Sequence, residues 1–316
     1  MAISNNSGKN YQSPLLRLPM RVVKNLLLFI GLLTLFSCGS PESQQKSERP
    51  PLNKPQGNVE KPVVYFGVIT RYNPRIMYEE YQPIMDYLTE NTPYRFELKL
   101  GKTYEDAVEY LCNGIVDIAS LGVITYLEAH EKCGAIPIVR PMNKDGEPYY
   151  HSIIVVRENS PIKSLQDLKG HSFAFASEHS TSGYFIPRYY LEKSGLKLQD
   201  FSKVENLKHH DSVAKAVLSG RFDAGSVKDI IALRYIAKGL KILYISDPIP
   251  SVPFVVRPDC DKKLITAVKE ALLKINPKDP VQQQKMVKWN EEFRYGFVEA
   301  KDTDYDPVRR IFEKYH

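Results

Sequence analysis

Three consecutive hydroxyl residues, Ser180, Thr181 and Ser182, are followed by Gly183 in the stretch S-E-H-S-T-S-G-Y-F-I-P. Alcohols in series can donate hydrogen bonds to the oxygens of an anion, and a glycine lets the backbone approach a ligand closely. The stretch follows a β-rich run over 173–176 and precedes a helical pattern over 184–194 that Gly195 closes. It therefore falls at a strand-to-helix junction. The first N–H groups of a helix lack intrahelical acceptors and carry about half a positive charge. Such a terminus suits an oxyanion such as phosphate. Ser and Thr are also ordinary N-cap residues, so this stretch alone leaves a structural cap open.

A second group, Lys208-His209-His210-Asp211-Ser212, stands just before a helical pattern over 213–219. An imidazole there can donate to a phosphoryl oxygen, more strongly when protonated. Asp211 can equally be a plain N-cap. Asp223, at one end of an expected strand over 222–227, is a candidate to hold a protonated ligand oxygen or an ammonium group, or to anchor a loop. Tyr72, Tyr104 and Tyr126 fall in or beside the loops that follow expected strands, where a phenol can donate to an oxyanion or wall a pocket. The chain has 20 tyrosines, so packing remains open for each. A nucleophile set of Ser182, His210 and Asp211 is the enzyme alternative. Asp211 adjoins His210 in sequence, a poor arrangement for orienting the far ring nitrogen. The sequence also lacks G-x-S-x-G, H-E-x-x-H, a P-loop and G-x-G-x-x-G. No catalysis, metal or cofactor is expected.

These residues need elements to position them. The run V-V-Y-F-G-V-I at 63–69 reads as a buried parallel strand. A helical pattern over 77–90, a strand over 96–100, a helix over 104–112 and a strand over 116–120 follow. This alternation predicts a parallel α/β sheet, whose ligands bind beyond the carboxyl ends of the strands. Further strands are expected at 152–156 and 254–256, and helices over 261–274, 281–294 and 307–315, with no strand after 256. G-I-V-D-I-A-S at 114–120 and G-R-F-D-A-G-S at 220–226 echo one another, consistent with two lobes of similar topology.

The net charge of +6 is concentrated at the start: residues 1–37 hold Lys9, Arg17, Arg21 and Lys24 and no acid, so the remainder carries +2. No basic strip points to nucleic acid. An apolar run over 26–36 is too short to span a bilayer comfortably and fits an export signal, read either from Met1 or from Met20. Leu35-Phe36-Ser37-Cys38 resembles a lipobox, which makes Cys38 the expected lipidation site and membrane anchor. Residues 38–61 are polar and Pro-rich and are expected to be a disordered tether. Cys112, Cys133 and Cys260 remain; the first two flank one strand and are candidates for a disulfide, while three buried thiols are the alternative.

Y-Y-H-S-I-I at 149–154, S-L-Q-D-L-K-G, S-T-S-G-Y-F-I-P, the His210-Asp211 pair, G-R-F-D-A-G and S-D-P-I-P-S-V-P occur in this order. Together they resemble the phosphate/phosphonate/phosphite-binding family of ABC-importer solute-binding proteins, over about residues 62–315. The resemblance implies a two-lobed α/β fold of the periplasmic-binding-protein type II kind, with a two-crossover hinge and an anion held between the lobes. Lobe 1 would be 62–156 plus 250–316 and lobe 2 would be 157–249. It implies Ser180, Thr181, Ser182 and His210 as oxyanion contacts, with Tyr72, Tyr104, Tyr126 and Asp223 beside them. The implied partners are an ABC permease and its ATPase, at the periplasmic face of the membrane, with the chain a monomer. An anchored anion sensor, or a binder of sulfonate or another small anion, is the alternative.

Overall fold

The structure, a computed structural model, describes residues 60–71 and 74–315. The expected signal, the lipidation site Cys38, nearly all of the expected tether, and Tyr72 lie outside the described residues. Lys61, expected in the tether, belongs to the fold, because its ammonium donates to the carbonyls of Thr89 (2.5 Å) and Thr92 (2.9 Å).

Strands β1 (Val63–Val68), β2 (Arg95–Leu100), β3 (Ile118–Ser120) and β4 (Ile136–Pro141) alternate with helices α1 (Pro74–Asn91), α2 (Tyr104–Cys112) and α3 (Val123–Cys133). The short β5 (Tyr149–Tyr150) leads to β6 (Ser152–Arg157), β7 (Ser172–Phe175), α4 (Ile186–Lys193), β8 (Lys203–Asn206) and α5 (His210–Leu218). Then come β9 (Ala224–Lys228), α6 (Asp229–Ile236), β10 (Leu240–Ile245), β11 (Ile249–Pro250) and β12 (Phe254–Val256). Helices α7 (Lys262–Leu273) and α8 (Pro280–Met286), strand β13 (Phe297–Glu299) and helix α9 (Asp306–Tyr315) complete the chain.

Two mixed sheets result, in the orders β13-β4-β12-β3-β1-β2 and β10-β6-β9-β7-β8. Parallel pairing runs through β2-β1-β3 and β8-β7-β9, as the strand–helix alternation requires. The antiparallel members β12 and β6 are the strands on which the chain returns to or enters a sheet. The chain crosses between the sheets twice, and β5 pairs with β11 to join the two crossings in an antiparallel ribbon. This is the two-lobed type II fold with its two-crossover hinge.

Three expectations change. The strand over 152–156, expected in the first lobe, pairs with β9 and β10 in the second sheet, so the first crossing precedes it. A strand does follow residue 256, since β13 adds to β4. The helical pattern over 281–294 is broken: α8 stops at Met286, and Asn290 caps a short turn at 291–293 by accepting from the Glu292 N–H (2.9 Å). That break turns the Glu292 side chain inward. The lone Trp289 is core, packed edge-on against Tyr87.

The echo between 114–120 and 220–226 is structural. Asp117 accepts the Tyr65 N–H of β1 (2.8 Å), and Asp223 accepts the Ser172 N–H of β7 (2.9 Å). Arg257 donates to the carbonyls of Leu111 and Val116, while Arg157 donates to those of Val217 and Phe222. Each lobe thus uses an aspartate to hold the neighbouring strand and an arginine to tie the end of a helix to the start of the next strand. Cys112 and Cys133 form a disulfide joining the ends of α2 and α3, and Cys260 is a free thiol.

Candidate ligand-binding site

A cavity of ≈ 20 Å³ lies between the sheets, lined by Ile69, Arg71, Tyr104, Gly122, Tyr150, Ser180, Thr181, Ser182, His210, Lys228 and Val252. Its position is dictated by strand polarity. Five helical segments start at this point: α2 with Tyr104, α3 behind its N-cap Gly122, the turn at 181–185 behind its N-cap Ser180, α5 with His210, and α6 behind its N-cap Lys228. Their N-terminal dipoles and amides converge on one small volume, which favours negative charge there.

The hydroxyl stretch takes a π-helical turn, Thr181–Phe185, before running into α4. Single π turns recur at functional sites because they offset side chains from the regular spacing. Ser180 caps this turn, accepting from the Gly183 N–H (3.1 Å). Gly183 is required by space, since a Cβ there would lie 2.4 Å from the Ala176 Cβ and 2.9 Å from His210 Cε1. Thr181 Oγ1 accepts the Ile124 N–H (3.0 Å) from the first turn of α3, across the two sheets. The Tyr104 hydroxyl hydrogen-bonds the Ser180 side chain, and the Tyr150 hydroxyl that of Thr181. Burial pushes the Tyr104 phenol up to about 12 and raises that of Tyr150 further, so both remain O–H groups.

His210 Nδ1 accepts the Lys228 backbone N–H (3.1 Å), and its Nε2 lies 3.1 Å from Ser180 Oγ. A backbone amide can only donate, so the proton of the neutral ring sits on Nε2 and is aimed at the hydroxyl stretch. Burial, with Arg71 and Lys228 nearby, lowers the His210 pKa to about 3. The expectation of a donor strengthened by protonation is thereby corrected: desolvation keeps this imidazole neutral. Asp211 pairs with Lys215 (2.9 Å), and no hydrogen bond links it to His210. Ser182, His210 and Asp211 do not form a relay.

Two other expected site residues stand apart. The Tyr126 hydroxyl is bonded to Asp302, and its ring packs on Tyr305. Asp223 is spent on Ser172 and Arg157 at the amino end of β9, away from the cavity.

Sequence reasoning missed the charged part of the site. Glu292 binds Arg71 through Oε2 and Lys228 through Oε1, and all three side chains are 5–6% exposed. Burial alone would raise the Glu292 carboxyl, but Arg71 and Lys228 outweigh it and hold the pKa at about 2. Arg71 follows β1 and Lys228 ends β9, so the rule that ligands sit beyond carboxyl ends pointed to both. Nothing near Glu292 in the sequence did. Further contacts join the lobes around this centre: His209 Nδ1 to the Thr70 carbonyl (3.0 Å), and His179 between Glu105 (2.8 Å) and Glu128 (2.7 Å). Among the described residues, no group of three or more His, Cys, Asp or Glu could hold a metal ion.

Two lobes closing on a small cavity ringed by helix N-termini define a periplasmic solute-binding protein of the type II class. The sequence profile of the family described as "ABC transporter, phosphonate, periplasmic substrate-binding protein" matches residues 66–305, and the chain belongs to that family. It is similar to the phosphonates-binding periplasmic protein of Escherichia coli (strain K12), 24% identical over 73% of this chain and 68% of that one. It is also similar to the phosphate-import protein PhnD of Mycolicibacterium smegmatis, 26% identical over 84% of this chain and 89% of the relative. The solved structure of PhnD1 from Prochlorococcus marinus in complex with methylphosphonate superposes with a TM-score of 0.71, at 22% identity over 81% of this chain and 98% of that one. The family is one of transport proteins.

Proposed function

We propose that this chain captures a phosphorus oxyanion (phosphonate, phosphate or phosphite) in the cavity between its lobes and delivers it to an ABC permease powered by its ATPase. The observation that carries the reading is the convergence of five helix starts on a volume lined by alcohols and by Arg71 and Lys228. Ser180, Thr181 and Ser182 donate to the ligand oxygens, His210 supplies its Nε2–H, and Tyr104 and Tyr150 supply phenolic O–H groups. Neutral donors and fixed dipoles hold a desolvated anion without the reorganisation that water needs. The lobes, taken as 60–141 with 254–315 and as 152–245, close about the β5–β11 ribbon, and the closed form is what the permease recognises.

The ligand leaves unchanged in this reading, which is supported by His210 Nδ1 accepting a backbone N–H, that of Lys228, where a catalytic relay would place a carboxylate. Export through the leader over 1–37, lipidation at Cys38 and a tether that ends before residue 60 hold the monomer at the periplasmic face of the membrane. Mass spectrometry of the mature N-terminus tests the anchor: a diacylglyceryl group on Cys38 is expected. Calorimetric titration of the purified protein with phosphate, phosphite, methylphosphonate and sulfate tests the ligand class. Binding of at least one phosphorus oxyanion, lost on Ser180→Ala with Thr181→Val, is expected. No binding of any of them would end the reading.

A further inference from the structure

The charges lining the cleft say which anions fit. Among the described residues, Arg71 and Lys228 line the cavity, and no Asp or Glu does. Glu292 touches both cations, yet its two oxygens are each taken, one by Arg71 and one by Lys228. The next carboxylate, Asp229, accepts the backbone N–H groups of His151 and Ile230 and lines a different space. His210 is neutral. The buried array of Arg71, Glu292 and Lys228 therefore turns two cations toward the cavity, while the carboxylates that act on them, Glu292 and Asp229, lie behind that lining.

A second space of ≈ 310 Å³ lies behind the array and shares Tyr150 and Lys228 with the cavity, while Glu292 lines only the second space. The Lys228–Glu292 ion pair, with the Lys228 ammonium 4.2 Å from the centre of the Tyr150 ring, forms the wall between them. A ligand substituent turned toward this wall meets cations and cannot pass into the larger space while the pair is closed.

We infer that this array makes the site selective for compact oxyanions whose substituent carries no positive charge, and that it excludes phosphonates bearing an ammonium group. The inference rests on the cleft being the anion site proposed above. An ammonium on the ligand would be stripped of water beside two cations, and the hydroxyls around it cannot supply a countercharge.

The test is calorimetric titration of the full chain with methylphosphonate, propylphosphonate and 2-aminoethylphosphonate, the last two being nearly equal in size. Methylphosphonate should bind, and 2-aminoethylphosphonate should bind roughly 100-fold more weakly or not at all, given a like-charge contact at low dielectric. Propylphosphonate should bind more tightly than its ammonium counterpart, which separates charge from bulk. Lys228→Met leaves one Glu292 oxygen uncommitted and should raise the affinity for 2-aminoethylphosphonate relative to methylphosphonate by roughly tenfold or more. Lys228→Arg should preserve the wild-type ratio. Wild-type affinities for methylphosphonate and 2-aminoethylphosphonate within about fivefold of one another would overturn the inference while leaving the anion site standing. A ratio unmoved by Lys228→Met in a variant that still binds methylphosphonate would overturn it as well. Failure of the wild-type chain to bind any phosphorus oxyanion would instead refute the underlying site.

Discussion

Replacing Thr181 by valine keeps the volume of the side chain and removes one oxygen. That oxygen does two jobs in this fold. Its lone pair accepts the Ile124 N–H at 3.0 Å, joining the lobes, and the hydroxyl lines the cavity beside the Tyr150 hydroxyl, where its proton can turn to a ligand oxygen. Losing a hydrogen bond to an ionised ligand oxygen costs about 1.5–3 kcal/mol, and leaving a buried amide without a partner costs about 1–3 kcal/mol. The low ends of the two sum to about 2.5 kcal/mol, a weakening of about 70-fold in Kd. Thr181→Ser keeps both bonds and should stay within about threefold of wild type. Isothermal titration of both variants with the tightest-binding anion of the panel measures this directly. An affinity of Thr181→Val within about threefold of wild type would refute the reasoning, because neither bond would then form on closure.

Other consequences concern pH, space and the disulfide. His210 has its pKa lowered to about 3 by burial, against about 6.5 when unfolded, so below pH 6.5 the unfolded chain takes up a proton that the folded chain refuses. Its contribution to stability is intact above pH 6.5 and falls by about 1.4 kcal/mol per unit below it; urea unfolding at pH 7 and pH 5 should show about 2 kcal/mol lost in wild type and not in His210→Asn. Gly183→Ala drives a methyl against Ala176, His210 and Ser180, so the π turn must shift; titration should show anion affinity falling about tenfold or more with the fold intact by circular dichroism. Reducing Cys112–Cys133, which closes a loop of separation 21, should lower the stability of the fold by about 3 kcal/mol in chemical unfolding and leave anion affinity unchanged, since the bond joins the far ends of α2 and α3.

The sequence carried the hydroxyl stretch because its meaning is local: three alcohols and a glycine between a strand and a helix have few uses. The same holds for Tyr104, which opens α2 behind a Thr103–Asp106 capping box. Glu292 was illegible for the opposite reason. It belongs to the site only because α8 ends at Met286 and Asn290 caps a new turn, one whose own position is fixed by the Asn290 N–H donating to the Glu80 carbonyl on α1 (3.1 Å). That contact spans over two hundred residues, and no window of the sequence contains it. Tyr150 lay within a quoted motif, yet its role depends on the crossing of β5 with β11, which a reading by successive elements does not place.

Asp223 shows where the reading of residue types outran the reading of direction. A carboxylate at a strand end beside a glycine looks like a ligand contact, and its counterpart Asp117 has the same look. In both lobes, however, the Asp precedes its strand, and in a parallel sheet the amino end faces away from the helix N-termini that gather charge. What the aspartates do there is hold the neighbouring strand through the Tyr65 and Ser172 amides, while Arg257 and Arg157 tie the preceding helices to the strand starts. The residues that follow the same strands, Leu121-Gly122 after β3 and Lys228 at the end of β9, are the ones that reach the cavity or the start of α3. Strand polarity divides one repeated unit into a structural end and a binding end, and the binding end differs between the lobes: a bare glycine N-cap in one, a lysine in the other. That difference adds Lys228 to the charges that Arg71 and Glu292 bring from the other lobe, and the shared scaffold decides where they are displayed.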